Sequence, residues 1–206
     1  MNSISKPVLF LSLVFCALLF PASAFAQGPL ATGTGPTIKA NIGFSYIQQQ
    51  VPSSSTIPMY GLDAGATIDT SRRFGIAFDL GYARASNIFS SGHHSDMLNY
   101  LAGPVFYPLT SRRVQVFAHL LLGGARVTGA TPIGQGNYLG GYANEFAWAG
   151  GGGLEIQSSP ASAIRFGGDY LHTGYFDPTA TLRGQGNLRA VVSFVYFPGH
   201  NSRHPH

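Results

Sequence analysis

Cysteine is nearly absent from this chain. The single one, Cys16, lies in an N-terminal apolar run, residues 8–20, that follows Lys6. A basic residue, a short apolar run and a small-residue motif, here Ala24-Phe25-Ala26, are typical of a cleaved secretory signal peptide. The run is too short to span a bilayer, which takes about 20 residues. We therefore predict a signal peptide over residues 1–26 and a mature chain without disulfide or thiol chemistry.

Charge is also scarce. Asp, Glu, Lys and Arg make up 10% of the residues, against roughly 25% in soluble domains. The net charge of +4 is too small to indicate nucleic-acid binding, and export argues against it further. After the signal no apolar run approaches the length of a membrane helix. We therefore interpret the chain as exported and poor in charge. It is rich in glycine (27 residues) and in aromatic residues (13%).

The mature sequence contains an alternation of period two. Eight segments alternate apolar or aromatic residues with small or polar ones, which predicts eight strands. The segments are residues 38–46, 60–69, 74–82, 98–106, 114–123, 146–156, 164–171 and 188–196. Short connectors follow the second, fourth and sixth segments, whereas long ones rich in Gly, Ser, Asn and Pro follow the others. The long connectors are residues 48–57, 85–96, 128–144 and 174–186.

Two short connectors share one tetrapeptide. Thr-Ser-Arg-Arg occurs at residues 70–73 and again at 110–113. Thr and Ser favour turns through side-chain hydrogen bonds, so we interpret the repeat as two equivalent tight turns. Their arginines would lie at one rim of the sheet, which would bring them to anionic headgroups if the sheet spans a membrane. Pro104 interrupts the fourth segment, and we expect a kink or bulge at Gly103-Pro104.

The residue composition of the two strand faces indicates which face is turned inward. An eight-stranded barrel has an interior just wide enough for side chains, which suits the small and polar face. A soluble, lipocalin-like barrel would need a more highly charged exterior. Aromatic residues at both ends of the apolar face predict two membrane-interface girdles. The girdle residues are Tyr46, Tyr60, Tyr82 and Tyr170 near the long connectors, and Phe74, Phe106, Phe166 and Tyr196 near the short ones.

The strand segments resemble a known family. Stretches such as "NYLAGPVFYPL" (residues 99–109), "FAWAGGGGLEI" (146–156) and "NLRAVVSFVYF" (187–197) are similar to the small eight-stranded outer-membrane β-barrels, including the OmpA transmembrane domain and the opacity-type porins. The resemblance implies an all-β, antiparallel, up-and-down transmembrane barrel with short periplasmic turns and long extracellular loops. It also implies the barrel-assembly machinery as a partner, because "FVYF" resembles the aromatic-ended last strand that this machinery recognises.

The predicted domains follow from these assignments. Residues 27–36 form a flexible lead-in, residues 37–197 the outer-membrane barrel, and residues 198–206 a periplasmic tail with three histidines. A frayed tail is favoured over a metal site there.

Charged residues of the inward face have two interpretations. They line a channel or proton path, or they form an ion-pair network that fills a narrow lumen; we favour the second, because buried charges are tolerated when paired. The predicted lumenal charge network is Lys39, Asp63, Asp79, Glu155, Arg165, Asp169 and Arg189, with the lumenal polar residues Asn41, Asn99, Gln115 and His119. We expect Arg189 to reach Asp169 on the neighbouring strand.

Candidate sites for chemistry lie near the long connectors. Some barrels of this size act on lipid acyl chains, and His93, His94, Ser95 and Asp96, or His172 with Thr173, are the candidates here. None has the spacing of a nucleophile, base and orienting group, so we predict no enzyme, no catalytic residue, no cofactor and no metal. Arg84 and Arg126, at outward positions near these connectors, are candidate contacts for lipopolysaccharide phosphates.

These features predict a structural envelope protein of the bacterial outer membrane, monomeric, with loops that mediate surface contact or adhesion. The alternatives are a narrow small-solute channel and a lipid-modifying enzyme. The expected partners are outer-membrane lipids, lipopolysaccharide and the assembly machinery, with no nucleic acid.

Overall fold

A computed structural model describes residues 37–50, 56–111, 113–134, 137–174 and 185–198, with side chains for all of these except residues 131–139. The strands are β1 (Thr37–Gln50), β2 (Thr56–Asp69), β3 (Phe74–Ala85), β4 (Ser95–Thr110), β5 (Val114–Gly134), β6 (Asn137–Ser159), β7 (Ser162–Thr173) and β8 (Gln185–Tyr196). A short 3-10 helix, Ile88–Ser90, lies between β3 and β4. Within these residues no helix is long and apolar enough to cross a membrane. The predicted signal peptide, lead-in and most of the tail lie outside the described residues.

The strands form a closed barrel in sequence order. Every strand pairs antiparallel with its neighbours, and β8 pairs back with β1, for example through Ser193 and Gly43. The prediction of an eight-stranded, antiparallel, up-and-down barrel is confirmed. Closure has a physical reason, because a bilayer offers no hydrogen-bond partner to the backbone of an open sheet edge.

Burial is inverted relative to a soluble protein. Leu62 is 64% exposed and Ile42 61%, whereas Lys39 is 4% exposed and Arg189 3%. The predicted phase of the alternation is confirmed, with apolar side chains on the outside and polar ones in the lumen. Such a broad apolar exterior is incompatible with water but complementary to lipid.

Two local predictions, a bulge at Gly103-Pro104 and a loop at residues 128–144, are wrong. Gly103 and Pro104 have no pair in β5, but the β4–β5 register is the same on both sides of them, and Pro104 pairs with Ile76 of β3. The irregularity falls instead between Phe106 and Leu109, where two residues of β4 lie opposite Phe117 alone. Proline is tolerated at position 104, and the extra residue of the bulge is inserted closer to the turn.

The second correction concerns the predicted loop at residues 128–144. There β5 and β6 continue to pair as far as Gly134 and Asn137. Their partners stop earlier, because the last β4–β5 pair is Ser95 with Gly129, and the β6–β7 pairing begins at Ala147 with Thr173. A two-stranded hairpin therefore extends beyond the rest of the sheet.

Candidate functional site

The lumen holds a central layer of charge built around Arg189 of β8. Its guanidinium donates to Asp169 Oδ2 from Nε at 2.9 Å and from Nη2 at 2.6 Å. Nη1 donates to Asp79 Oδ1 at 2.8 Å and approaches Asp63 Oδ2 at 3.4 Å. One arginine thus joins carboxylates from β2, β3 and β7, because its planar fork of donors serves several acceptors at once.

Two more strands contribute to this central layer. His119 Nε2 of β5 lies 2.7 Å from Asp169 Oδ1, and the amide of Asn99 on β4 donates to Asp79 Oδ1 at 2.8 Å. Glycines make room for these groups. A side chain at Gly81 would overlap the Asn99 amide, and one at Gly151 would overlap the Asp169 carboxylate. The small residues of the inward face therefore leave the space into which the long polar side chains pack.

A second charged layer lies closer to the short turns. Lys39 Nζ of β1 donates to Gln115 Oε1 at 2.7 Å and lies 3.1 Å from Asp69 Oδ2 and 3.3 Å from Glu155 Oε1. Arg165, directly opposite Glu155 across β6 and β7, donates to its Oε2 at 2.8 Å. Two cations and two carboxylates balance in this layer, as burial of charge requires.

Aromatic rings close this turn-side layer. Tyr107 donates to Asp69 Oδ1 at 2.6 Å and presents its ring to Lys39 Nζ at 4.7 Å. Arg165 lies over the ring of Phe117 at 5.1 Å. Cation–π contacts of this kind stabilise desolvated cations, so the rings contribute electrostatically as well as by packing.

Between the two charged layers lies a small cavity of about 50 Å³, whose lining includes Asn41, Thr67, His119 and Ser193. A water molecule needs roughly 10–15 Å³ by this measure, so the cavity has room for a few waters. The Ser193 hydroxyl, which has no protein partner, is a natural site for one of them.

The half of the lumen near the long loops is filled differently. Ile47, Met59, Met97, Leu121 and Leu171 are each at most 1% exposed and pack together. Ile88 of the 3-10 helix packs against the same cluster from the loop side. The charged layers are thus separated from the exterior by tightly packed apolar side chains.

Sequence reasoning missed several members of these layers. Asp69 shares the inward phase of Asp63 and Thr67, so the alternation itself contained the signal. Tyr107 lies one residue beyond the predicted end of its strand, in the bulge. Ile47, Met59 and Met97 also fall just outside the predicted segments, because β1, β2 and β4 are longer at their loop ends than the alternation indicated.

The predicted girdles occupy the two ends of the lipid-facing surface. Tyr46 and Tyr60 approach at 5.3 Å between ring centroids near the loops, and Phe74 and Phe106 at 5.0 Å near the turns. The remaining members, Tyr82, Tyr170, Phe166 and Tyr196, are exposed on the same outer face.

The two candidate lipopolysaccharide contacts have different surroundings. Arg84 Nε lies 3.7 Å from Asp96 Oδ1, whose carboxylate also accepts from Tyr82 at 2.7 Å. Arg126 lies over the ring of Tyr142 at 5.4 Å. Both arginines are exposed at the outer rim.

The candidate catalytic groups do not converge. His172 stacks on Trp148 at 5.4 Å on the outer face, whereas Thr173 is buried in the lumen and donates to Gln185. Ser95 and Asp96 likewise point to opposite faces, and His93 and His94 are exposed in the neighbouring loop. Among the described residues, no three His, Cys, Asp or Glu side chains form a metal site.

Comparison with known proteins agrees with this geometry. The family model described as "Outer membrane protein beta-barrel domain" matches residues 12–194. The chain belongs to this family. It is therefore a β-barrel of the bacterial outer membrane. No curated protein matches the sequence.

Solved structures share the fold of this family member. The attachment invasion locus protein Ail of Yersinia pestis is 14% identical, with a TM-score of 0.54 over 79% of this chain and 99% of that one. Neisserial surface protein A is 13% identical, with a TM-score of 0.55 over 79% and 96%. OprG of Pseudomonas aeruginosa is 10% identical, with a TM-score of 0.51 over 80% and 96%. At these identities the likeness concerns the fold.

Proposed function

We propose that this barrel is a structural outer-membrane protein whose extracellular face makes contact with macromolecules outside the cell. The observation that carries the proposal is the projecting β5–β6 hairpin. From Asn137 to Glu145, β6 pairs only with β5 among the described residues. At about 3.3 Å per residue, this segment measures up to roughly 30 Å along the strand.

The hairpin offers two kinds of contact. Along Asn137–Glu145 the edge of β6 away from β5 has no strand partner among the described residues, and such an edge can accept an added strand, a common mode of peptide recognition. Tyr142 is 75% exposed and Phe146 60%, and aromatic side chains often anchor interfaces. The name of the attachment invasion locus protein, which shares the fold, supports an attachment role for a barrel of this kind.

The test removes the tip of the projecting hairpin and keeps the barrel. Replacing residues 129–141 with Asn-Gly joins Thr128 to Tyr142, which already face each other, through a two-residue hairpin turn. We expect outer-membrane vesicles carrying the shortened protein to bind immobilised matrix and serum proteins at least about ten-fold more weakly than vesicles with the full chain, a difference of 1.4 kcal/mol. The slower migration of heated over unheated protein on gels serves as the control for an intact barrel. Equal binding by both vesicles, or no binding by either, would contradict the proposal.

A narrow channel is the alternative, and the occupied lumen argues against it. Arg189 and Asp169 have side-chain exposures of 1% and 3% and are joined directly, and an apolar cluster lies above them. We expect little or no conductance in planar bilayers. A stable, reproducible open state would favour the channel.

The same proposal excludes catalysis and assigns further partners. Incubation with labelled lipopolysaccharide should leave its acyl chains unchanged, since the candidate His, Ser and Asp side chains point to different faces.

We propose that Arg84 and Arg126 contact lipopolysaccharide phosphates. We also propose that the assembly machinery inserts the chain and that the protein acts as a monomer. Arg84→Ala with Arg126→Ala should reduce lipopolysaccharide co-purification; unchanged co-purification would count against that contact.

A further inference from the structure

The periplasmic rim carries a group of arginines that the extracellular proposal does not use. Arg72, Arg73 and Arg113 are exposed in the turns that follow β2 and β4. The first turn is held by side-chain bonds, since Ser71 Oγ accepts from the backbone N–H of Phe74 at 3.1 Å and Thr70 Oγ1 donates to Phe74 O at 3.1 Å. Arg72 and Arg73 therefore project from an ordered turn.

Each turn is also bonded to the neighbouring hairpin. The carbonyl of Arg73 accepts from Tyr107 N at 2.8 Å, and that of Arg113 accepts from Gln157 N at 2.8 Å. These are equivalent positions in the repeated tetrapeptide. The backbone of this arginine in each repeat is thus fixed to the barrel, while the side chain is exposed.

The acidic residues at this end of the barrel do not pair with these arginines. Asp69 and Glu155, at the same end of the barrel, point into the lumen and pair with Lys39 and Arg165. In the described part of the chain, the acidic residues outside the lumen are Asp96 and Glu145, and both lie at the opposite, loop end. The turn-side rim of the described chain therefore presents positive charge only.

The level of these arginines relative to the membrane indicates which ligand they meet. Phe74 follows Arg73 directly and contacts Phe106, with the two rings tilted, on the lipid-facing surface, and aromatic girdles lie at headgroup level. A guanidinium binds phosphate through paired hydrogen bonds. We propose that Arg72, Arg73 and Arg113 form a binding surface for the phosphate groups of anionic phospholipids in the inner leaflet of the outer membrane.

This proposal is tested with spin-labelled lipids. The full barrel is folded in phosphatidylcholine bilayers, and electron paramagnetic resonance gives the association constant of labelled phosphatidylglycerol relative to labelled phosphatidylcholine. In the triple variant R72Q/R73Q/R113Q we expect this ratio to fall, by up to about five-fold for each arginine that contacts a headgroup, since a basic residue near an anionic surface contributes about 1 kcal/mol. High salt should reduce the ratio of the unmodified protein in the same direction.

The matched control is S111Q, which places a glutamine in an exposed turn of the same rim without removing a charge and should leave the selectivity in place. The triple lysine variant R72K/R73K/R113K should retain part of it, because charge persists without the planar fork. Gel mobility before and after heating verifies folding of each variant. An unchanged ratio in the triple glutamine variant, or an equal fall in the control, would overturn the proposal. So would competition by millimolar glycerophosphoglycerol, which would indicate a soluble phosphate ligand in place of a lipid.

Discussion

The two halves of the lumen are filled in opposite ways. From the centre of the barrel to the periplasmic turns, Lys39, Arg165 and Arg189 bind carboxylates from several strands. Near the extracellular loops, apolar side chains such as Met97 and Leu171 pack together, and the buried polar groups beside them, such as Thr173 and Gln185, are uncharged. Both fillings close the interior, but they do so through different forces, directional charge pairing in one half and close packing in the other.

The difference affects how each half responds to change. A buried ion pair adds little over a well-packed apolar pair, yet removal of one partner leaves a costly unpaired charge. An apolar core loses stability in proportion to the cavity that a substitution creates. We therefore expect the turn-side half to be sensitive to single charges and the loop-side half to be sensitive to volume.

The largest effect is expected at Arg189. Arg189→Met keeps much of the side-chain volume but leaves Asp63, Asp79 and Asp169 without their shared cation, and we expect the free energy of unfolding to fall by about 4 kcal/mol. Urea unfolding in lipid vesicles, followed by gel mobility of unheated samples, gives this value. Arg126→Met, at the exposed rim, should change it by less than about 0.5 kcal/mol. Comparable losses in both variants would show that the central layer has no special energetic role.

The next effect tests the apolar half. Leu171 is fully buried, and Leu171→Ala should lower the free energy of unfolding by about 3 kcal/mol, because its neighbours cannot collapse into the space. Leu62→Ala, on the lipid-facing surface, is the matched control. It loses the same methyl groups, but lipid chains fill the gap, so its loss should be smaller by about 1–2 kcal/mol. Equal losses would mean that the loop-side half is loosely packed.

Alternation in the sequence predicted which residues face the lumen, because a strand has a fixed period of two. It also placed Arg189 beside Asp169, since consecutive strands of a meander are neighbours. It did not predict that Arg189 also reaches Asp79, because that contact spans the barrel and depends on its closure and stagger. The partner of Lys39 across the lumen, Glu155 of β6, was not predictable for the same reason.

The projecting hairpin was missed for a different reason. Residues 128–144 are rich in glycine and contain Pro132, a composition that favours loops over strands. Their pairing depends on partners in another strand, and a propensity read residue by residue is a weak indicator of such pairing. The strand extensions that carry Met59 and Met97 into the lumen were underestimated in the same way.

The smallest effect concerns the ring that closes the turn-side layer. Tyr107→Phe removes the hydroxyl that donates to Asp69 Oδ1 at 2.6 Å but keeps the ring beside Lys39. Asp69 retains its ion pair with Lys39 at 3.1 Å, so we expect a loss of about 1.5 kcal/mol. Tyr100→Phe is the control, because its hydroxyl donates to Asn144 at 3.2 Å on the exposed face and should contribute less than about 0.5 kcal/mol. If both variants lost the same free energy of unfolding, a hydrogen bond in the charged layer would contribute no more to stability than one at the surface. The two halves of the lumen would then differ only in their packing.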